Sequence, residues 1–319
     1  MYGITLSVVA CLRAGTRVDV AWVVDTEGLE RVDRTDALAL TPGGGRVGSL
    51  LSGALDDQLS DQAARGASRG RLLDLEVSEV DALVAGLPSG GRARCLLIPA
   101  PDLPAELWEL LAARRPVALI TELDGDEVAG TTLVTPETVE SIEGADDEIA
   151  ERFARRASDT VLTDRRVVTI LWPVPQLVIV GFGPVAEALA PAATLLGWQT
   201  RIVSDPGTAG GLIAALAGPD KLVVASHDQE LAGRALAAAL DSDVGYIGAL
   251  GGRRAQQARA DWLAYRGYSD LSRIHGPAGL DIGADTPAEI ALSILAEAVA
   301  AQAGVDAEAD PETTGTGSR

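Results

Sequence analysis

Four aliphatic runs in the second half of the chain, each followed by a helix-patterned stretch, limit its fold more than any other feature of the sequence. The runs are Gln176–Val180, Thr200–Ser204, Lys221–Ala225 and Val244–Ile247. Strands stay apolar on both sides when helices cover both faces of a parallel sheet. The intervening segments Val185–Leu196, Gly211–Leu216, Gln229–Leu240 and Arg254–Tyr265 carry helical periodicity. Such alternation, with its right-handed crossovers, predicts an α/β unit built on a doubly wound sheet. Thr286 and Glu289 form a capping box with Pro287 at the first helical position, so a last helix is expected over Pro287–Ala301.

The first of these strands runs into Gly181-Phe182-Gly183-Pro184-Val185-Ala186, a G-x-G-x-x-A loop between strand and helix. Gly181 permits the tight turn, Gly183 lets a pyrophosphate approach the backbone, and Ala186 lets helix and strand pack closely. This is the fingerprint of a Rossmann-type dinucleotide fold. Asp205, ending the second strand, stands where a carboxylate can accept from ribose hydroxyls. Pro184 removes one amide that a phosphate could use. A Rossmann shell that keeps its tight turns without a nucleotide is the competing reading.

Three further clusters fall at the same sheet edge. Ser226-His227-Asp228 follows the third strand, so His227 is either a general acid-base or a hydrogen-bonder at a helix entry, and Asp228 a helix cap. After the fourth strand, Gly248-Ala249-Leu250-Gly251-Gly252-Arg253-Arg254 opens a helix with two arginines, which suits an anion or, equally, a turn with solvated side chains. Asp281 lies between two glycines in Gly279-Leu280-Asp281-Ile282-Gly283, where it can present a carboxylate or accept from backbone amides.

Residues 1–145 read as a smaller α+β domain, with a first helix from Tyr2 to Cys11 and strands at Val18–Val24, Ala37–Thr41, Arg94–Ile98 and Pro116–Thr121. Helices are expected over Ala54–Ala67 and Ala105–Ala113. A charged helix over Glu143–Thr160 and the break Trp172-Pro173-Val174-Pro175 make residues 146–174 a connection to a Rossmann domain over 175–302. The polar stretch 303–319 is expected to be a disordered tail. A formal charge of -20 opposes nucleic acid and anionic membranes as main partners. Cys11 and Cys95 are too far apart in sequence for a metal motif or a disulfide framework and fit a reducing cytoplasm, while two histidines make a histidine-built metal site improbable.

His227-Asp228, Tyr246-Ile247-Gly248, Gly251-Gly252-Arg253 and above all the stretch Pro277-Ala278-Gly279-Leu280-Asp281-Ile282-Gly283-Ala284-Asp285-Thr286-Pro287-Ala288-Glu289-Ile290-Ala291 resemble the XdhC/CoxI family. These are accessory proteins for maturation of bacterial xanthine dehydrogenase and carbon monoxide dehydrogenase. The resemblance implies a non-catalytic protein that binds molybdenum cofactor during sulfuration and delivers it to a molybdenum hydroxylase apoenzyme. A cysteine desulfurase partner belongs to that expectation, and an exposed aliphatic N-terminal domain makes a homo-oligomer the expected assembly. NAD(P) is the alternative ligand, in an oxidoreductase or a subunit of such a system. The family's N-terminal thiols are missing: Ala54 follows Gly48-Ser49-Leu50-Leu51-Ser52-Gly53, and Ser89-Gly90-Gly91 stands where Cys-Gly-Gly is usual. Neither alanine nor serine replaces a soft thiolate ligand.

Overall fold

Contacts divide the chain into two units, Met1–Pro173 and Val174–Arg319. The computed structural model describes residues 1–29, 36–66, 68–141 and 147–303. The expected tail over 303–319 lies, beyond its first residue, outside the described residues. No helix among them is long and apolar enough to cross a membrane.

Unit 1 is built on strands β1 (Asp19–Glu27), β2 (Leu38–Leu40), β3 (Arg46–Gly48), β4 (Arg71–Val77), β5 (Gly91–Pro99), β6 (Val117–Asp124), β7 (Glu127–Val134), β8 (Asp159–Leu162) and β9 (Arg166–Leu171). Among the described residues they form one sheet in the order β3-β2-β1-β5-β4-β7-β6-β9-β8, with every pair antiparallel. Its helices are α1 (Thr5–Arg13), α2 (Asp56–Ala64), α3 (Glu79–Ala85), α4 (Glu106–Ala112) and α5 (Asp147–Ala154). Because side chains alternate along a strand, β1 and β5 feed two cores. Val20, Trp22, Leu96 and Ile98 pack with residues of α1 and α4, whereas Ala21, Val23, Cys95 and Leu97 pack with residues of α2.

The expected connection over 146–174 is corrected by this sheet. Helix α5 stops at Ala154, and β8 and β9 pair with each other and with β6, so these residues belong to unit 1. Thr160, read as helical, is a buried strand residue. The run Val167-Val168-Thr169-Ile170-Leu171 is continuously buried, and β-branched residues favour a strand there. Deep in this sheet the Trp22 indole donates to Thr169 Oγ1 at 3.1 Å. Thr169→Val leaves that donor buried and unpaired, so it is expected to cost about 1–3 kcal/mol, seen as a lower urea midpoint at unchanged slope.

Unit 2 follows the β-α alternation: β10 (Gln176–Val180), α6 (Pro184–Leu195), β11 (Gln199–Val203), α7 (Pro206–Ala214), β12 (Lys221–Val224), α8 (Gln229–Leu240), β13 (Tyr246–Ala249), α9 (Arg253–Tyr265), β14 (Ile274–His275) and α10 (Pro287–Ala303). The parallel sheet runs β11-β10-β12-β13-β14. Leu177 and Ile179 pack with α6 and α10 residues on one face; Val178 and Val180 pack with α7, α8 and α9 residues on the other. The sheet is therefore doubly wound, and its strand order changes direction between β10 and β12, where such folds bind ligands.

Two boundaries move. Helix α7 begins at Pro206 rather than Gly211, because the Asp205 carboxylate caps it and Pro206 fits its first turn, which outweighs the cost of Gly210 and Gly211 inside. Strand β13 starts at Tyr246 rather than Val244, since Gly245 bends the backbone close against Gly218, where a Cβ would meet the Gly218 carbonyl oxygen at 2.0 Å.

Candidate functional site

At the carboxyl edge of the unit 2 sheet, the loops after β10, β12 and β13 enclose a cavity of about 770 Å³. Gly183, Ala186, His227, Gly251, Arg253 and Arg254, all candidates from the sequence, line it, together with Phe182, Ser226 and Arg259, which were not singled out there. Gly181 shapes the wall from behind. It adopts φ +113, and a Cβ there would lie 2.6 Å from the Ser226 nitrogen, so both conformation and space require glycine. Gly183 is at φ +132 with nothing within 4 Å of its Cβ position, which leaves its backbone open towards the cavity.

Two helices begin at this cavity without a side-chain cap. Gly183 is the N-cap of α6 and Gly252 that of α9, and neither can satisfy the first-turn amides from a side chain. By contrast, α7 and α8 are capped by Asp205 and Asp228. Exposed first-turn N–H groups and the positive end of the helix dipole attract anions. Pro184 contributes no N–H, so the amides of Val185 and Ala186 are the donors of the α6 turn.

Beneath the α9 turn sits Arg259, only 7% exposed. One of its terminal nitrogens donates to the Leu250 carbonyl and the other to the Ser226 carbonyl, at 3.2 Å for the latter, which ties the second and third loops together. Burial pulls its pKa below the ordinary value. No carboxylate among the described residues is within ion-pair distance of Arg253, Arg254 or Arg259. Phe182, 65% exposed on the first loop, offers a ring face on which a planar heterocycle can stack.

Four other residues of the sequence reading lie outside the cavity wall. Asp205 Oδ2 accepts from the amide and hydroxyl of Thr208, at 2.7 and 2.8 Å, and these contacts hold its carboxyl below the usual range. Asp228 Oδ1 accepts from the amides of Glu230 and Leu231. Gly248 is small because the Tyr246 ring lies along the strand, its hydroxyl 2.8 Å from where a Cβ would stand. Asp281 is exposed on the loop before α10.

That loop is held by Glu297, a mid-helix residue with no local motif to mark it. Glu297 of α10 accepts from the Tyr246 hydroxyl at 2.5 Å and the Gly279 amide at 2.7 Å, and His275 Nδ1 lies 3.3 Å from its other oxygen. The imidazole also packs on the Tyr246 ring, with centroids 4.9 Å apart. Burial opposes the charge of Glu297, but its contacts with His275, Tyr246 and Gly279 outweigh that and hold the carboxyl below its usual range. Burial, reinforced by Glu297, pushes the Tyr246 hydroxyl the other way.

The donor set in the cavity suits a phosphate and not a molybdenum centre. No cysteine lines it, and no group of three or more His, Cys, Asp or Glu among the described residues could hold a metal ion. Cys95 is buried in the unit 1 sheet with its thiol pushed up to about 12 by burial. In unit 1 the loop before Ala54 is strained, with Leu51 and Ser52 at φ +52 and +55 and Gly53 at +96, yet it presents a methyl group at position 54.

Residues 177–298 match the family model of the XdhC Rossmann domain. The chain is 31% identical over 173 residues to the uncharacterized Escherichia coli K12 protein YqeB, a match that covers 46% of this chain and 32% of YqeB. It thus spans about a third of that relative's length. A crystal structure described as a xanthine dehydrogenase from Bacillus halodurans aligns over 96% of this chain and 98% of its own, at 20% identity and a TM-score of 0.46.

Proposed function

We propose that this chain, which belongs to the XdhC family through its Rossmann domain, is a non-catalytic accessory protein of a xanthine dehydrogenase-type system that holds a phosphate-bearing cofactor. The observation that carries this reading is the cavity itself: two uncapped helix starts and three arginines without a carboxylate partner among the described residues, in a chain whose formal charge is -20. The α6 turn and Gly183 grip a phosphate, Phe182 covers a planar ring, and His227 on the second loop can exchange a hydrogen bond with the bound molecule. A molybdopterin phosphate meets these requirements. The cavity lining offers its metal end no thiolate or carboxylate, so the protein grips the organic part, with a molybdenum hydroxylase apoenzyme as recipient and a cysteine desulfurase as the sulfur source.

The alternative, a nicotinamide-dependent oxidoreductase, drew on Asp205 as a ribose acceptor. Asp205 instead caps α7 and does not line the cavity, which leaves the glycine loop alone in support of that reading.

Denaturing protein purified from its own cells is expected to release a phosphate-bearing pterin in stoichiometric amount, identified by mass spectrometry. Adding molybdopterin to the emptied protein should raise its melting temperature, since a ligand at a hundred times its Kd stabilises by about 2.7 kcal/mol. Absence of both the released pterin and the thermal shift overturns the proposal. A shift with NAD(P) accompanied by hydride transfer would install the oxidoreductase in its place.

A further inference from the structure

We infer that a second copy of this chain packs on the outer side of α6 and α10, so that the protein is a homodimer joined through unit 2 with both cavities left open.

The two helices cover one face of the unit 2 sheet, where Leu189, Ala193, Ile294 and Leu295 are buried with Leu177 and Ile179 of β10. A helix that covers a sheet ordinarily turns charged and polar side chains to water on its other side. These two do not. Leu195 is 90% exposed, Leu292 61%, Leu196 48% and Val299 44%. The 12 residues of α6 and the 17 of α10 include three charged side chains, Glu187, Glu289 and Glu297, in a chain that is 23% charged. Glu187 lies in the first turn of α6. Glu289 accepts from the Asp285 and Thr286 amides at the start of α10, and Glu297 is turned inward to Tyr246 and Gly279. From Pro191 on α6 and Leu292 on α10 to the ends of both helices, the outer side therefore carries no charge. The opposite layer of the same unit is built differently, with Glu230, Arg234 and Arg266 forming ion pairs on the surface of α8 and at the end of α9.

Charge selects the occupant. Two chains of formal charge -20 repel each other, so two copies meet at least cost across a surface with no charge of its own, which this face provides. A lipid surface would be recognised by lysines and arginines flanking the apolar stripe, and neither helix contains one. A basic partner would need carboxylates here, and those of α10 are engaged elsewhere. Size agrees with a second copy. Helices of 12 and 17 residues lying side by side present a face of roughly 25 by 20 Å. Two copies therefore bury about 1,000 Å², close to the least that a specific interface uses, and the dimer is expected to dissociate at micromolar concentration. In a twofold contact each of these side chains meets the same surface of its counterpart. None of Pro191, Leu195, Leu292 and Val299 lines the cavity, so it stays open in each copy.

The test is sedimentation velocity of the full chain at concentrations on either side of about 10 μM. The wild type is expected to pass from monomer to dimer as concentration rises. Leu195→Glu combined with Leu292→Glu, both at exposed positions, should weaken the dimer by about 100-fold or more and keep the chain monomeric, with an unchanged far-UV circular dichroism spectrum. Leu83→Glu combined with Val84→Glu changes the other markedly exposed apolar pair, on α3 of unit 1, and should leave dimerisation as it is. A wild type that stays monomeric overturns the inference; co-sedimentation of that monomer with phosphatidylcholine vesicles would assign the face to lipid instead. A dimer lost in the α3 variant and kept in the α6 and α10 variant also overturns it, by moving the contact to unit 1.

Discussion

Gly181→Ala is expected to destabilise unit 2 by about 3 kcal/mol or more, which for a unit of this size lowers its melting temperature by roughly 6–12 °C. Two costs add. The residue sits at φ +113, which L side chains rarely adopt, and the new methyl would lie 2.6 and 2.8 Å from the backbone nitrogen and Cα of Ser226. Those are main-chain atoms at the end of β12, and they cannot step aside without disturbing its pairing with β10. Gly183→Ala makes the informative contrast. Its φ of +132 carries the conformational cost alone, since nothing lies within 4 Å of the added Cβ, so a loss of about 1–3 kcal/mol is expected. That variant should still fold and lose anion affinity, because the methyl enters the space a phosphate would take. Thermal melts followed by calorimetry separate the two; equal melting temperatures for Gly181→Ala and wild type would refute the close approach of the first and second loops.

This contrast also shows what the sequence could and could not convey. Gly181, Gly183 and Ala186 were legible because their roles are local: each residue type is demanded by the backbone conformation or packing of its own turn. The same holds for the β-α order of unit 2 and for the Thr286-Glu289 cap, where Glu289 does accept from the Asp285 and Thr286 amides. Arg259 and Glu297 were illegible for the opposite reason. Each stands mid-helix among ordinary helix formers, and its role depends on partners up to 51 residues away in the chain, as the Tyr246 to Glu297 hydrogen bond shows. Asp205 and Asp228 are a different case, the second already legible as a helix cap. Their positions at strand ends suit ligand contact and helix capping equally, and Thr208, Glu230 and Leu231 decide for capping.

Unit 1 was less legible. Strand β4 alternates buried Leu72, Leu75 and Val77 with exposed Asp74 and Glu76 over a stretch short enough to pass for a helix turn, and β7 carries Gly130 in its middle. Antiparallel strands with one wet face carry a weaker signal than the fully buried runs of unit 2. Pairing across long sequence separations, such as β1 with β5, settles which of these short runs become strands.

Glu297→Ala is expected to cost about 3–5 kcal/mol, because one truncation strips the Tyr246 hydroxyl, the Gly279 amide and His275 of the group they share. Tyr246→Phe removes a single donor and should cost about 1 kcal/mol. In the Glu297→Ala background that second change should cost almost nothing, a coupling that urea melts of the four proteins can measure. The pH dependence follows with a definite sign. Glu297 is held below its ordinary value of 4.5 in the folded chain, so its ionised form contributes stability fully above about 4.5. That contribution is lost as pH falls through the lower folded-state value, where the carboxyl takes up a proton. The stability gap between wild type and Glu297→Ala should therefore be constant near neutrality and narrow in acid. Narrowing on the alkaline side instead, with no change in acid, would show that the carboxylate is not what holds β13, the Gly279 loop and α10 together.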